Sequence, residues 1–196
     1  LQRQIIHSIA TMGMDKTESA KMRILGLNPD CKVTTYNTRL NAENVIDIVS
    51  QYDIVLDGTD NFPTRFLLND ASVLLNVPVV HGSIFRFEGQ VSVFDPAHGP
   101  CYRCFLPEPP PPELAPSCAE AGVLGVLPGI VGSLQALETI KYILGIGDSL
   151  VGRLLSFDSL EMTFKNFKIR KNDECKICGN DVKEIVIKEY DQYCRV

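Results

Sequence analysis

The stretch Asp53-Ile54-Val55-Leu56-Asp57-Gly58-Thr59-Asp60-Asn61 decides the fold. Three consecutive apolar residues after Asp53 read as a short strand buried on both faces, and the polar peptide from Asp57 to Asn61 turns the chain into a helix. That helix is predicted over 64–76, with Phe66, Leu67, Ala71, Leu74 and Leu75 inward. Pro78-Val79-Val80-His81 follows as another short buried run. Upstream, Asp15 with Glu18 three residues on signals a helix start, and Ala20, Ile24 and Leu27 keep helical spacing until Asn28-Pro29 stops it. Lys32 to Thr38 is β-branched and predicts a strand. Asn41 can cap a short helix through Val45, Ile46 and Val49. This alternation predicts an α/β fold: a doubly wound, mainly parallel Rossmann-like sheet covered on both faces.

Beyond His81 the period changes. From Arg86 to Phe94, Phe87, Gly89, Val91 and Val93 alternate with Glu88, Gln90 and Ser92, which predicts a half-exposed, additional antiparallel strand. A long proline-rich connection covers 95–127. A helix is predicted from Pro128 to Leu144, with Ile130, Leu134, Leu137, Ile140 and Ile143 on one inward stripe. Leu154 to Phe157 and Thr163 to Ile169 read as late strands, and Val182 to Lys188 alternates weakly. No internal repeat occurs, so 1–196 is expected to be a single domain.

Composition narrows the function. The 196 residues carry 19 Lys and Arg against 24 Asp and Glu, a net charge of −5, which leaves no cationic excess for a nucleic-acid backbone. Apolar residues make up 45% and charged residues 22%, as in ordinary soluble domains. The longest uncharged stretch, Ala121 to Leu137, holds four glycines and Pro128 and is too short for a membrane span. No secretory signal opens the sequence, and a cytoplasmic location is expected.

The seven cysteines include two pairs with CxxC spacing, Cys101 with Cys104 and Cys175 with Cys178. Four thiolates at such spacing suit a tetrahedral structural Zn²⁺ that staples distant segments, with Arg103, Lys176 and Gly179 in turn-like knuckles. A redox dithiol, a disulfide or unrelated core thiols are the alternatives, and the doubling of the motif favours zinc. Cys118, on the proline-bounded loop, pairs with no other cysteine by spacing and is a candidate nucleophile or an inert thiol. Cys31 and Cys194 read as inert, and His7, His81 and His98 share no ligand spacing.

Ligands of open α/β sheets bind beyond the carboxyl ends of strands, where Asp57 to Asn61 falls. Asp57 and Asp60 would repel there unless Mg²⁺ or a basic partner lay between them. The other use for Asp60 or Asn61 is to cap the next helix. Lys16 opens a helix, where a cation gains nothing unless an anion shares the site, so Arg3, Lys16 and Arg65 together suggest a polyphosphate clamp.

Taken in order, Leu1-Gln2-Arg3-Gln4, Lys16 to Ala20, Asp57 to Arg65, Phe87 to Val91, Pro100 to Cys104, Cys118 to Val126 and the second CxxC resemble the ubiquitin-activating superfamily, in its ThiF/MoeB/HesA branch. The resemblance covers nearly the whole chain. It implies ATP-dependent adenylation of the C-terminal glycine of a ubiquitin-like sulfur-carrier protein of ThiS or MoaD type. That step precedes thiocarboxylate formation in thiamine or molybdopterin biosynthesis, and the branch commonly works as a homodimer. By the same resemblance Arg3 and Lys16 bind the nucleotide's phosphates with Gln4 adjoining them, Asp60 coordinates Mg²⁺, Asn61 belongs to the cofactor-binding set, and Arg65 completes the site. The four paired cysteines match structural zinc ligands. Cys118 matches a loop cysteine that takes up the activated carrier in some members.

Three departures qualify it. The glycine-rich nucleotide loop, the ribose-binding acid and an N-terminal arginine precede the motif with which this sequence opens, so a fragment with weak or no ATP binding is expected. Phe85 stands where relatives usually carry glycine. Tyr190 to Cys194 resembles the segment that precedes a rhodanese domain elsewhere, and no such domain is expected here. A non-catalytic subunit that docks a ubiquitin-like protein is the alternative, opposed by the retained Arg3, Lys16, Asp60 and Arg65. A nicotinamide-dependent oxidoreductase lacks its G-x-G-x-x-G turn.

Overall fold

A computed structural model describes residues 1–110 and 122–190. The chain forms two compact units, Leu1–Arg39 and Leu40–Val196.

In the first unit a 3₁₀ turn, Ile9–Thr11, precedes helix α1, Lys16–Leu27. The helix starts where Asp15 and Glu18 predict, yet neither carboxylate serves it as a cap. Asp15 accepts from the Asn37 amide at 2.7 Å and Glu18 from the Thr35 hydroxyl at 2.7 Å. Those two bonds correct the strand expected over Lys32–Thr38. Its polar side chains are held by α1, and none of its backbone joins a ladder among the described residues.

The second unit runs α2 (Val45–Val49), β1 (Val55–Asp57), α3 (Phe62–Leu75), β2 (Val79–Phe85), β3 (Glu88–Phe94), α4 (Tyr102–Phe105), α5 (Leu127–Leu144), β4 (Arg153–Asp158) and β5 (Thr163–Lys168). The five strands form one mixed sheet in chain order. Only β1 and β2 run parallel; β2–β3, β3–β4 and β4–β5 are antiparallel. The mainly parallel sheet expected from the sequence is therefore corrected to a single parallel step followed by a meander. Tight turns join β2 to β3 across Arg86 and Phe87 and β4 to β5 across Ser159 to Met162. The strand β3 reaches β4 by the long connection that carries α4 and α5, and the parallel step uses the crossover α3. The weak alternation of Val182–Lys188 yields no strand.

Helices cover both faces of this sheet. Val79 packs with Leu67, Leu68 and Ala71 of α3 and with Val45 and Val49 of α2. Val80, one residue on and facing the opposite way, packs with Val131 of α5 and with Val91 and Val93. Asn61 caps α3 by accepting the Thr64 amide at 2.9 Å, and Pro63 occupies the first turn where no amide is needed.

The buried face of α5 corrects the predicted stripe. Leu127, Val131, Gln135 and Glu138 point inward, whereas Leu137, Ile140 and Ile143 are exposed. Two polar side chains outcompete apolar ones for the interior because each satisfies backbone groups there. Gln135 donates through Nε2 to the carbonyls of Asp57 and Val80, and Glu138 accepts the Leu150 amide at 2.8 Å. Gly82 makes the first possible: a Cβ there would lie 2.3 Å from the Gln135 side chain.

Candidate functional site

The peptide Asp57–Asn61 closes β1 at its carboxyl end, and its side chains divide the work. Asp57 is buried and uses both oxygens within the protein. Its Oδ1 accepts from the Thr59 amide at 2.9 Å and the Thr59 hydroxyl at 2.6 Å, an Asx turn. Its Oδ2 accepts from His81 Nδ1 at 2.9 Å, with Arg65 Nε 3.7 Å away. Arg65 Nη2 donates to the Thr59 carbonyl at 2.7 Å, fastening the same turn. The basic partners that the sequence demanded thus serve Asp57. Asn61 is the cap, and the exposed Asp60 carboxylate has no protein partner among the described residues.

A cavity of about 310 Å³ opens beside this turn, lined in part by Asp60, Arg65, His81, Phe85, Glu88 and Tyr102. It combines two carboxylates, Asp60 and Glu88, and the Arg65 guanidinium with an aromatic wall. Phe85 is 43% exposed on that wall, under the Arg86 guanidinium at 5.2 Å. Arg86 has a φ of +52°, a left-handed conformation that a non-glycine residue adopts at a cost of about 1–2 kcal/mol.

His81 is the residue that sequence reasoning missed here. Histidine spacing carries no signal for it; only the parallel register, which sets Asp57 opposite His81, brings the two together. Burial pushes the imidazole below its ordinary pKa, against the pull of Asp57. Burial also pushes Asp57 up, but the His81 hydrogen bond and the charges of His81 and Arg65 outweigh it, so Asp57 lies below the ordinary carboxylate value. The folded protein therefore holds a neutral imidazole where the unfolded chain, with a pKa near 6.5, takes up a proton. Stability is expected to fall as pH drops below about 6.5, by up to about 1.4 kcal/mol per pH unit. Denaturant midpoints at pH 7.5 and 5.5 check this, since the His81→Asn variant should show a flatter dependence.

The four paired cysteines converge. Cys101 Sγ lies 4.0 Å from Cys104 Sγ and 3.7 Å from Cys175 Sγ, and Cys104 Sγ lies 3.4 Å from Cys178 Sγ. All four sulfurs fall within 4.8 Å of one another. Zn–S bonds of about 2.3 Å place tetrahedral sulfurs about 3.8 Å apart, so the donors fit Zn²⁺ in type, number and spacing. Hydrogen bonding with Cys104 and Cys178 pushes the Cys101 thiol up, and hydrogen bonding with Cys101 and Cys178 pulls Cys104 down. A divalent cation resolves such proton sharing by holding all four as thiolates. Gly179 shapes the second knuckle, since a Cβ there would meet the Cys175 carbonyl at 2.4 Å.

Arg103, between the first two thiols, is buried instead of forming part of an exposed turn. Its Nε and Nη2 donate to both oxygens of Asp70 in α3 at 2.7 and 2.8 Å, and its guanidinium lies over the Phe66 ring at 4.6 Å. Tyr190 donates to the same carboxylate. Asn69 accepts the Tyr102 amide at 2.7 Å, so two adjacent residues of α3 clamp α4. Replacing Arg103 with Met leaves the buried Asp70 carboxylate with the Tyr190 hydroxyl and the Asn69 amide but no cation, and unfolding free energy is expected to drop by about 3–5 kcal/mol in urea titrations.

In the first unit Arg3, Gln4 and Lys16 are exposed, and neither Arg3 nor Lys16 forms an ion pair among the described residues. His7, Ser19 and Thr11 form a hydrogen-bonded chain, at 2.9 Å per link, that ties the leading loop to α1. Cys118 and Cys194 lie outside the described residues, and Cys31 is exposed with a free thiol. No helix among the described residues is long and apolar enough to cross a membrane.

Residues 1–177 match the model of the ThiF family. The chain is 47% identical to a sulfur carrier protein adenylyltransferase of Thermus thermophilus, covering 99% of this chain and 73% of that protein. It is equally 47% identical to an adenylyltransferase and sulfurtransferase MOCS3 of Culex quinquefasciatus, and spans only 44% of its length. Among solved structures, E. coli MccB bound to ATP superposes with a TM-score of 0.77 at 18% identity, over 91% of this chain and 55% of that one. That last likeness is one of fold.

Proposed function

The chain belongs to the ThiF family, and on that premise we propose that it adenylates the C-terminal glycine of a ubiquitin-like sulfur-carrier protein of ThiS or MoaD type. One observation carries the reading: a carboxylate without a partner among the described residues, Asp60, which lines with Arg65 a cavity beyond the carboxyl end of β1. The carrier's terminal carboxylate oxygen attacks the α-phosphorus of ATP. The bond to the β-phosphate oxygen breaks, pyrophosphate leaves with that electron pair, and an acyl-adenylate remains for sulfur transfer. Whether thiamine or molybdopterin synthesis follows depends on the carrier.

Two anions must meet in this step, so the protein's contribution is electrostatic. Arg3, Gln4 and Lys16 are assigned to the phosphates, and Asn61 borders the nucleotide. Arg65 supplies a guanidinium to the charge that accumulates on the α-phosphoryl oxygens. Asp60 would hold Mg²⁺, an ion that binds through one or two carboxylates plus substrate phosphates and offsets their charge. The zinc assigned to Cys101, Cys104, Cys175 and Cys178 is structural, since four thiolates leave no open position. Cys118 is assigned to a step after adenylation, and Cys118→Ala is expected to leave pyrophosphate exchange within about twofold of wild type.

A homodimer is supported by the outward apolar residues Leu137, Ile140, Ile143 and Leu144 of α5. Free thiols fit the reducing cytoplasm. The decisive experiment is exchange of labelled pyrophosphate into ATP by the intact protein. Exchange that needs both a ThiS- or MoaD-type carrier and Mg²⁺ is expected, and its absence would leave a non-catalytic docking subunit.

A further inference from the structure

We propose that His81 is a positioning residue that keeps the Arg65 guanidinium available to an anionic ligand by occupying the carboxylate that would otherwise capture it. The role in turnover rests on the adenylation reading above; the geometry does not. Asp57 Oδ2 is the contested atom. His81 Nδ1 sits 2.9 Å from it, and because the carboxylate is ionised the shared proton belongs to the imidazole. Arg65 Nε stands 3.7 Å from the same oxygen, too far for a hydrogen bond, and is buried without a partner among the described residues.

A buried N–H of a guanidinium left unpaired beside a carboxylate is an unstable arrangement unless something blocks closure. The block is built in. The Asp57 and His81 side chains are each 3% exposed, and the imidazole packs against the rings of Phe94, at 5.7 Å, and Tyr102, at 5.2 Å, which also touch each other. Parallel pairing of β1 and β2 fixes Asp57 opposite His81. Asp57 Oδ1 is committed to Thr59, so no second oxygen is open to Arg65. Held off on one side and donating to the Thr59 carbonyl on the other, Arg65 lines the cavity next to Asp60.

Three variants test this. In His81→Leu the oxygen is vacated and Arg65 closes on Asp57 as a full ion pair. In His81→Asn the amide nitrogen takes the place of Nδ1 and the block persists. In His81→Leu with Asp57→Asn, the turn keeps its acceptor for Thr59 but no charge remains to capture Arg65. His81→Gln, whose amide reaches toward the Nε2 position instead, replaces His81→Leu if that protein does not fold.

The first readout is the Arg65 Nε–H resonance of labelled full-length protein, independent of activity. A downfield shift in His81→Leu, absent in His81→Asn, is expected; an unchanged resonance overturns the proposal. The second is pyrophosphate exchange. A tenfold or greater rise in the KM for ATP in His81→Leu, with recovery to within about threefold in the double variant, is expected. A double variant as impaired as the single would mean that His81 serves packing alone, and would overturn it. Wild-type protein without any exchange removes the adenylation reading, while the Arg65 resonance still decides the positioning.

Discussion

Asp60→Ala is expected to lower carrier-dependent pyrophosphate exchange by roughly a hundred- to a thousandfold, the scale of losing one preorganised charge-stabilising group. The fold should be indifferent to the change. Asn61, not Asp60, accepts the Thr64 amide, and among the described residues the Asp60 carboxylate has no bond to lose. Unfolding midpoints within about 0.5 kcal/mol of wild type are therefore expected in the same preparation. Asn61→Ala provides the contrast: loss of the cap should remove about 0.5–2 kcal/mol of stability. An Asp60→Ala protein that exchanges pyrophosphate at a tenth of the wild-type rate or better would end the metal role assigned to this carboxylate.

Cys175→Ser is expected to have the largest effect on stability. Elemental analysis should find about one zinc per wild-type chain and less than a tenth of that in the variant. Loss of a structural metal belongs with the few single changes that exceed about 4 kcal/mol, and in a chain of this size each kcal/mol moves the melting temperature by about 2–4 °C. A fall of about 10 °C or more is expected by calorimetry, reproduced by chelating the wild-type protein. The reason lies in what the thiolates join: Cys101 precedes α4 and Cys104 lies within it, while Cys175 and Cys178 belong to a turn-rich segment after β5 with little apolar surface of its own. Unchanged melting after full removal of zinc would show that Arg103 and its partners hold the knuckle without it.

Much of this was legible in the residues. Asp15, Asn28 and the apolar spacing between them locate α1 to the residue, and Asn61 with Pro63 marks the start of α3 within two. The CxxC pairs announce their own meeting because cysteine spacing reports ligand chemistry directly. What stayed hidden depends on partners distant in sequence. A β-branched run such as Lys32–Thr38 has strand propensity, but a ladder needs a neighbour, and propensity says nothing of one. The helix α5 is apolar nearly all round, so its period could not say which face turns inward; the unsatisfied carbonyls of Asp57 and Val80 chose Gln135. His81 and Arg103 gain their roles only from Asp57, 24 residues away, and Asp70, 33 residues away.

The staple between the two knuckles has a consequence for synthesis. Cys101 and Cys175 are 74 residues apart, which a ribosome translating 5–20 residues per second takes roughly 4–15 s to cover. Through that interval the first pair of thiols has emerged and the second has not. A nascent chain thus carries a half-built ligand set, open to oxidation or to the wrong ion, and Asp70, already made, can seat Arg103 and shelter it until the closing cysteines arrive.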